Sequence, residues 1–104
     1  MSDNWYRACR VDDLQPNEGR RLPTTPPIAL FLIDGESYAT ADTCTHADSS
    51  LSEGYVETDG SVECVAHMAR FCIKTGKVLA PPASVPLRTY PVRVEAGDIY
   101  VCLD

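Results

Sequence analysis

The sequence predicts an all-β domain on three observations. Eight prolines and six glycines punctuate the 104 residues. Apolar runs are short and rich in β-branched and aromatic side chains, and turn signals recur about every ten residues. Pairs ending in glycine (Asp34-Gly35, Asp59-Gly60, Thr75-Gly76 and Ala96-Gly97) sit between those runs, where hairpins close.

In chain order, Trp5–Val11 reads as a first strand and the acidic stretch Asp12–Gly19 as a loop. Arg20 and Arg21 lead into Pro23, Pro26 and Pro27, which keep helix out of that segment. Ile28–Ile33 and Ser37–Ala41 pair across Asp34-Gly35, and Ser49–Glu53 fits one helical turn. Val62–Cys64 pairs with the segment before Asp59-Gly60, and Phe71–Ile73 with Val78–Leu79 across Thr75-Gly76. Leu87–Val94 and Ile99–Leu103 form a closing hairpin around Ala96-Gly97. Without a repeat, low-complexity tract or linker, residues 1–104 read as one domain.

Fifteen acidic against nine basic side chains give a formal charge of −6, which repels a phosphate backbone and argues against nucleic-acid binding. The longest apolar run, Ile28–Ile33, is far short of a membrane span. Met1–Arg10 lacks the apolar core of a signal peptide. These features lead to the expectation of a soluble, cytoplasmic protein that engages neither nucleic acid nor membrane.

The cysteines carry the chemistry. Their number, five, is odd, and in a reducing compartment a disulfide framework is unexpected. Cys44-Thr45-His46 and Cys64-Val65-Ala66-His67 use both histidines of the chain, and each pair follows a predicted strand into a loop. Singly, such residues pack a core or face solvent. Together, two thiolates and two imidazoles suit tetrahedral zinc or a two-iron cluster. Structural zinc sites more often draw on Cys-Cys or His-His spacing, which favours iron. Cys9, Cys72 and Cys102 lie in strand-like runs and read as core packing.

With Arg70-Phe71, Lys74-Thr75-Gly76-Lys77, Pro81-Pro82-Ala83 and Tyr90-Pro91-Val92, the two Cys/His pairs resemble a Rieske [2Fe-2S] ferredoxin from Trp5 to Val101. The resemblance is strongest to the ferredoxin components of bacterial aromatic-ring-hydroxylating dioxygenases. It implies an antiparallel β-sandwich with a small cluster-binding subdomain of two ligand loops at about residues 42–84. It implies one cluster per chain, with Cys44 and Cys64 on one iron, His46 and His67 on the other, and Pro81-Pro82 in a third covering loop. It further implies an electron carrier, not itself an enzyme, that runs between a flavin-dependent NAD(P)H reductase and a terminal oxygenase. Part of the acidic surface would then serve as a docking face.

High-potential relatives have a disulfide and two hydroxyl donors near the cluster; the matching positions here are Ser49 and Ala66, then Ala69 and Phe71. Lacking these donors, the chain is expected to lie low in the range of about −150 to +300 mV. Two residues depart from the pattern, Val65 for the usual proline and Ala69 for a common glycine. Alanine would be strained if position 69 required a positive φ. A Rieske domain of an oxygenase catalytic subunit is disfavoured, because both histidines are taken by the cluster and none remains for a mononuclear iron site.

Overall fold

The computed structural model describes residues 4–16, 18–45, 49–66, 68–81 and 85–103. Eleven strands are formed among them: β1 (Trp5–Arg10), β2 (Gly19–Leu22), β3 (Ile28–Ile33), β4 (Glu36–Ala41), β5 (Tyr55–Val56), β6 (Ser61–Glu63), β7 (Arg70–Cys72), β8 (Val78–Ala80), β9 (Thr89–Tyr90), β10 (Val92–Glu95) and β11 (Asp98–Cys102). Their ladders are antiparallel and build three sheets, ordered β1-β11-β10, β2-β3-β4-β9 and β5-β6-β7-β8. The expected all-β antiparallel architecture is present. Among the described residues, no helix is long and apolar enough to cross a membrane.

Packing turns on β3. Ile28 and Leu30 enter one core with Cys9, Leu14, Leu22, Ile99 and Val101. Ala29, Phe31 and Ile33 point the other way, into a core with Cys44, Leu51, Val62, Cys64 and Phe71. Because successive strand residues face opposite sides, a strand between two cores needs apolar residues throughout. That requirement accounts for the uninterrupted Ile-Ala-Leu-Phe-Leu-Ile run.

All four glycine-containing turns close where expected, and Ser49–Glu53 narrows to a 3-10 turn at Leu51–Glu53. Several strands shift by one residue at an end, and three differences change the reading. Val11 leaves the first strand and opens a 3-10 turn, with the Leu14 N–H donating to the Val11 carbonyl at 3.2 Å. Gly19–Leu22, read as loop and proline-led approach, is strand β2; only Leu22 of its four residues is buried, so it carries little apolar signal. The run Leu87–Val94 is divided by Pro91, which has no N–H to give a ladder. Residues before it pair with β4 (Ala39 opposite Tyr90), and residues after it pair with β11.

Gly35 and Gly76 share a left-handed backbone, with φ of 80° and 78°. They differ in space: a Cβ at Gly35 meets nothing within 4 Å, whereas one at Gly76 would strike the Leu87 carbonyl oxygen. That carbonyl belongs to the segment clamped there by the Leu87 N–H to Gly76 carbonyl bond of 2.8 Å. Gly35→Ala should therefore cost about 1–2 kcal/mol from backbone strain alone, and Gly76→Ala clearly more. Thermal unfolding of the two variants checks this, and equal losses would refute the role of the close approach.

Candidate metal centre

Two loops place the cysteines. The first leaves β4 through Asp42 and Thr43 to Cys44, which is 3% exposed. The Cys44 N–H donates to the Ser49 carbonyl at 2.9 Å, and Thr43 bridges Ser50. The second leaves β6 at Cys64, 1% exposed, whose N–H donates to the Ala69 carbonyl at 2.7 Å. Each cysteine thus closes its loop onto the carbonyl five residues ahead. The Cys64 carbonyl also accepts the Met68 N–H at 3.0 Å, so both of its main-chain groups are spent on the turn.

That turn requires a left-handed residue, and the residue is Met68, with φ of 61°. Ala69, one of the two departures from the family pattern, is absent from the positive-φ residues and carries no strain of that kind. It is instead fully buried beside Cys44, Cys64 and Phe71 in one apolar core. Alanine fits because the site asks for a small side chain.

Cys44 and Cys64 therefore meet in the same water-excluding core. Two soft sulfur donors brought together on loops closed by main-chain bonds fit a thiolate-held metal group. The positions expected to lack hydroxyls, Ala69 and Phe71, are both fully buried in that core. His46 and His67 lie outside the described residues, as do Pro82 and Ala83 of the expected third loop. From that third segment, the Val85 carbonyl accepts the Thr45 hydroxyl at 2.6 Å, tying it to the first loop. Val65, Met68, Leu79 and Val85 are exposed apolar residues on or next to these loops.

Polar contacts stiffen the base of the second loop. The Ser61 hydroxyl and N–H donate to Asp59 at 2.6 and 3.0 Å, holding its carboxyl below the usual range, with Arg70 adding at 3.3 Å. Arg70 also donates to the Ser61 hydroxyl at 3.0 Å. Sequence reasoning missed Asp42, the one buried charged side chain among the described residues. Its signal was slight: an acid two positions before Cys44, with the Ser50 hydroxyl able to donate to it.

The other cysteines divide. Cys9 is buried in the second core, and burial pushes its thiol up. Cys102 is also buried, but Cys72 is only half-buried, so the core reading does not hold fully for it. Partial desolvation would raise the Cys72 thiol. The Thr75 hydroxyl, the Thr75 and Lys74 backbone and the Lys74 charge outweigh that and bring it below its ordinary value.

Comparison with known proteins places these features. The Rieske [2Fe-2S] domain model matches residues 4–91. The chain is 54% identical over 100 residues to the 3-phenylpropionate/cinnamic acid dioxygenase ferredoxin subunit of Escherichia coli K12, covering 96% of this chain and 94% of that one. Its structure resembles a chain in the complex of reduced oxygenase and oxidized ferredoxin in carbazole 1,9a-dioxygenase, with TM-score 0.91, 37% identity and coverage of 95% and 93%. It also resembles the Sphingomonas yanoikuyae B1 ferredoxin, with TM-score 0.87, 35% identity and coverage of 97% and 98%.

The opposed environments of Cys72 and Cys9 have a measurable consequence. The thiolate is the nucleophile, so at pH 8 iodoacetamide should label Cys72 well before Cys9. Thr75→Ala removes a hydrogen bond that favours the thiolate, raises the Cys72 pKa and should slow its labelling. Peptide mass spectrometry follows both sites; equal rates at the two cysteines, or no change in Thr75→Ala, would contradict these assignments.

Proposed function

Because the chain belongs to the Rieske [2Fe-2S] domain family, we propose that Cys44 and Cys64 hold one iron of its cluster and His46 and His67 the other. The cofactor is a Rieske-type [2Fe-2S] cluster, and the protein is a ferredoxin, an electron carrier and not a catalytic oxygenase subunit. The zinc alternative for the same four donors loses its ground, since the matching family carries two irons. Residues 1–104 form a single domain in this reading, with residues 42–84 as its cluster-binding part.

One observation carries the ligand assignment: both cysteines enter the same core through loops closed by the same main-chain bond. When bound, the cluster accepts and releases a single electron. Burial of Cys44 and Cys64 keeps water from the sulfurs, where the local dielectric is low and the thiolates are shielded from oxidation and exchange. Ala69 and Phe71 offer no hydroxyl to sulfur, so the reduced, more negative state gains less stabilisation and the potential lies low.

The loop tips supply the means of exchange. Exposed Val65, Met68 and Val85 give a small apolar rim suited to a short-lived contact, and the excess of acidic residues steers the encounter. The partners in this reading are a flavin-dependent NAD(P)H reductase as donor and the terminal oxygenase of an aromatic-ring dioxygenase system as acceptor, in the cytoplasm. The named subunit in E. coli and the oxygenase–ferredoxin complex support this system.

Two experiments test the assignment. His46→Ala should lose the visible absorption and most of the iron of the native protein, read by spectrum and iron analysis; an unchanged spectrum would defeat His46 as a ligand. By protein-film voltammetry, the wild type should have a midpoint near the low end of the family range, about −150 mV at pH 7. Ala69→Ser combined with Phe71→Tyr should raise it, and a wild-type midpoint well above zero would refute the low-potential reading.

A further inference from the structure

The geometry points to Asp42 as a positioning residue of the Cys44 loop, with Arg21 as the counter-charge that holds it; the inference rests on the reading of Cys44 as a cluster ligand. Asp42 stands at the end of β4 and is 2% exposed. A carboxylate so buried is tolerated only when its oxygens are filled. Its Oδ1 accepts the Ser52 N–H at 2.9 Å. Its Oδ2 accepts the Ser50 hydroxyl at 2.7 Å and lies 3.4 Å from the Arg21 Nε.

The main chain of Asp42 is equally engaged. Its N–H donates to the Pro27 carbonyl at 3.0 Å, and its carbonyl accepts the Leu51 N–H at 2.7 Å. Three of these contacts reach residues 50–52, the point at which the loop carrying Cys44 returns to the fold. The loop is thus gathered at its two ends by one residue, and Leu51, fully buried, is seated in the core that holds both cysteines.

Arg21 can reach this carboxylate because β2 lies directly on the 3-10 turn. A Cβ at Gly19 would stand 2.6 Å from the Ser52 Cα and 2.9 Å from its carbonyl oxygen, so only glycine allows that approach. The Arg21 side chain remains 64% exposed while Asp42 is buried. The pair therefore sets a carboxylate two residues before Cys44, partly compensated from the solvent side. An incoming electron makes the site more negative, so removing the Asp42 charge favours reduction and removing the Arg21 charge opposes it.

Purified wild type, Asp42→Asn, Ser50→Ala and Arg21→Gln are compared for iron release to a chelator, EPR of the reduced state and midpoint potential. Residues that orient metal ligands typically contribute 10- to 100-fold to metal retention. Asp42→Asn should accordingly release iron about 10- to 100-fold faster, with altered g-values. Ser50→Ala should release it several-fold faster, with a smaller spectral change, and Ser50→Thr should restore both. The midpoint should move up in Asp42→Asn and down in Arg21→Gln, an opposition that a purely structural role would not produce. If Asp42→Asn fails to fold, Ser50→Ala decides, because it leaves the carboxylate in place. Wild-type release rates and g-values in Ser50→Ala and any folded Asp42→Asn would overturn the inference alone. A wild type without the visible and EPR signature of the cluster would overturn the ligand reading and this inference together.

Discussion

Two sulfur donors have to sit inside one apolar core at the ends of irregular loops, whose buried main-chain groups need partners of their own. A buried amide without an acceptor costs about 1–3 kcal/mol, more than a typical satisfied bond contributes. Irregular loops at a core boundary are therefore the weak point of the design. The answer is the same in both places: the Cys44 N–H closes on the Ser49 carbonyl and the Cys64 N–H on the Ala69 carbonyl. With the backbone settled locally, the surroundings can be wholly apolar. Phe31, Leu51, Val62, Phe71 and Ile73 fill that space with no measurable exposure. Truncating one such aromatic typically costs about 3–5 kcal/mol.

The second core serves a different end. Cys9, Leu14, Leu22, Ile28, Leu30, Ile99 and Val101 pack the closing sheet against the other face of β3, away from the two cysteines. β3 is shared, so the part that holds Cys44 and Cys64 rests on a platform that is itself fully packed. Rigid support suits electron exchange, where small reorganisation and a well-placed exit matter more than a pocket for substrate. Met68, at 67% the most exposed of the large apolar residues described, lies beside Cys64 without weakening the core.

Much of this was legible in the residues because local chemistry and tertiary packing agree. Glycine at 35, 60, 76 and 97 takes a positive φ at each turn, so the hairpins announced themselves. The donor types and their spacing marked Cys44 and Cys64, which the structure buries in one core. β2 was illegible, because Gly-Arg-Arg-Leu forms a strand through pairing with β3 and not through any apolar pattern of its own. The division at Pro91 was hidden for a related reason: the run is continuous in character, but its halves serve different sheets. Met68 could not be foreseen as the left-handed residue, since methionine carries no preference for that region and only the closed turn imposes it. Asp42 was obscured because acidic residues ordinarily face solvent, and its partners lie eight to ten positions away or on another strand.

In the proposed assignment the two loops contribute to one mixed-ligand cluster, with one histidine from each. The chain contains two histidines, so selective labelling is unambiguous. Untagged protein grown with ¹⁵N-histidine, reduced and measured by electron–nuclear double resonance, should show two nitrogen couplings from histidine, and each single variant, His46→Ala or His67→Ala, should fail to give that pair. Wild-type protein whose iron signal carries no histidine nitrogen coupling would contradict the account.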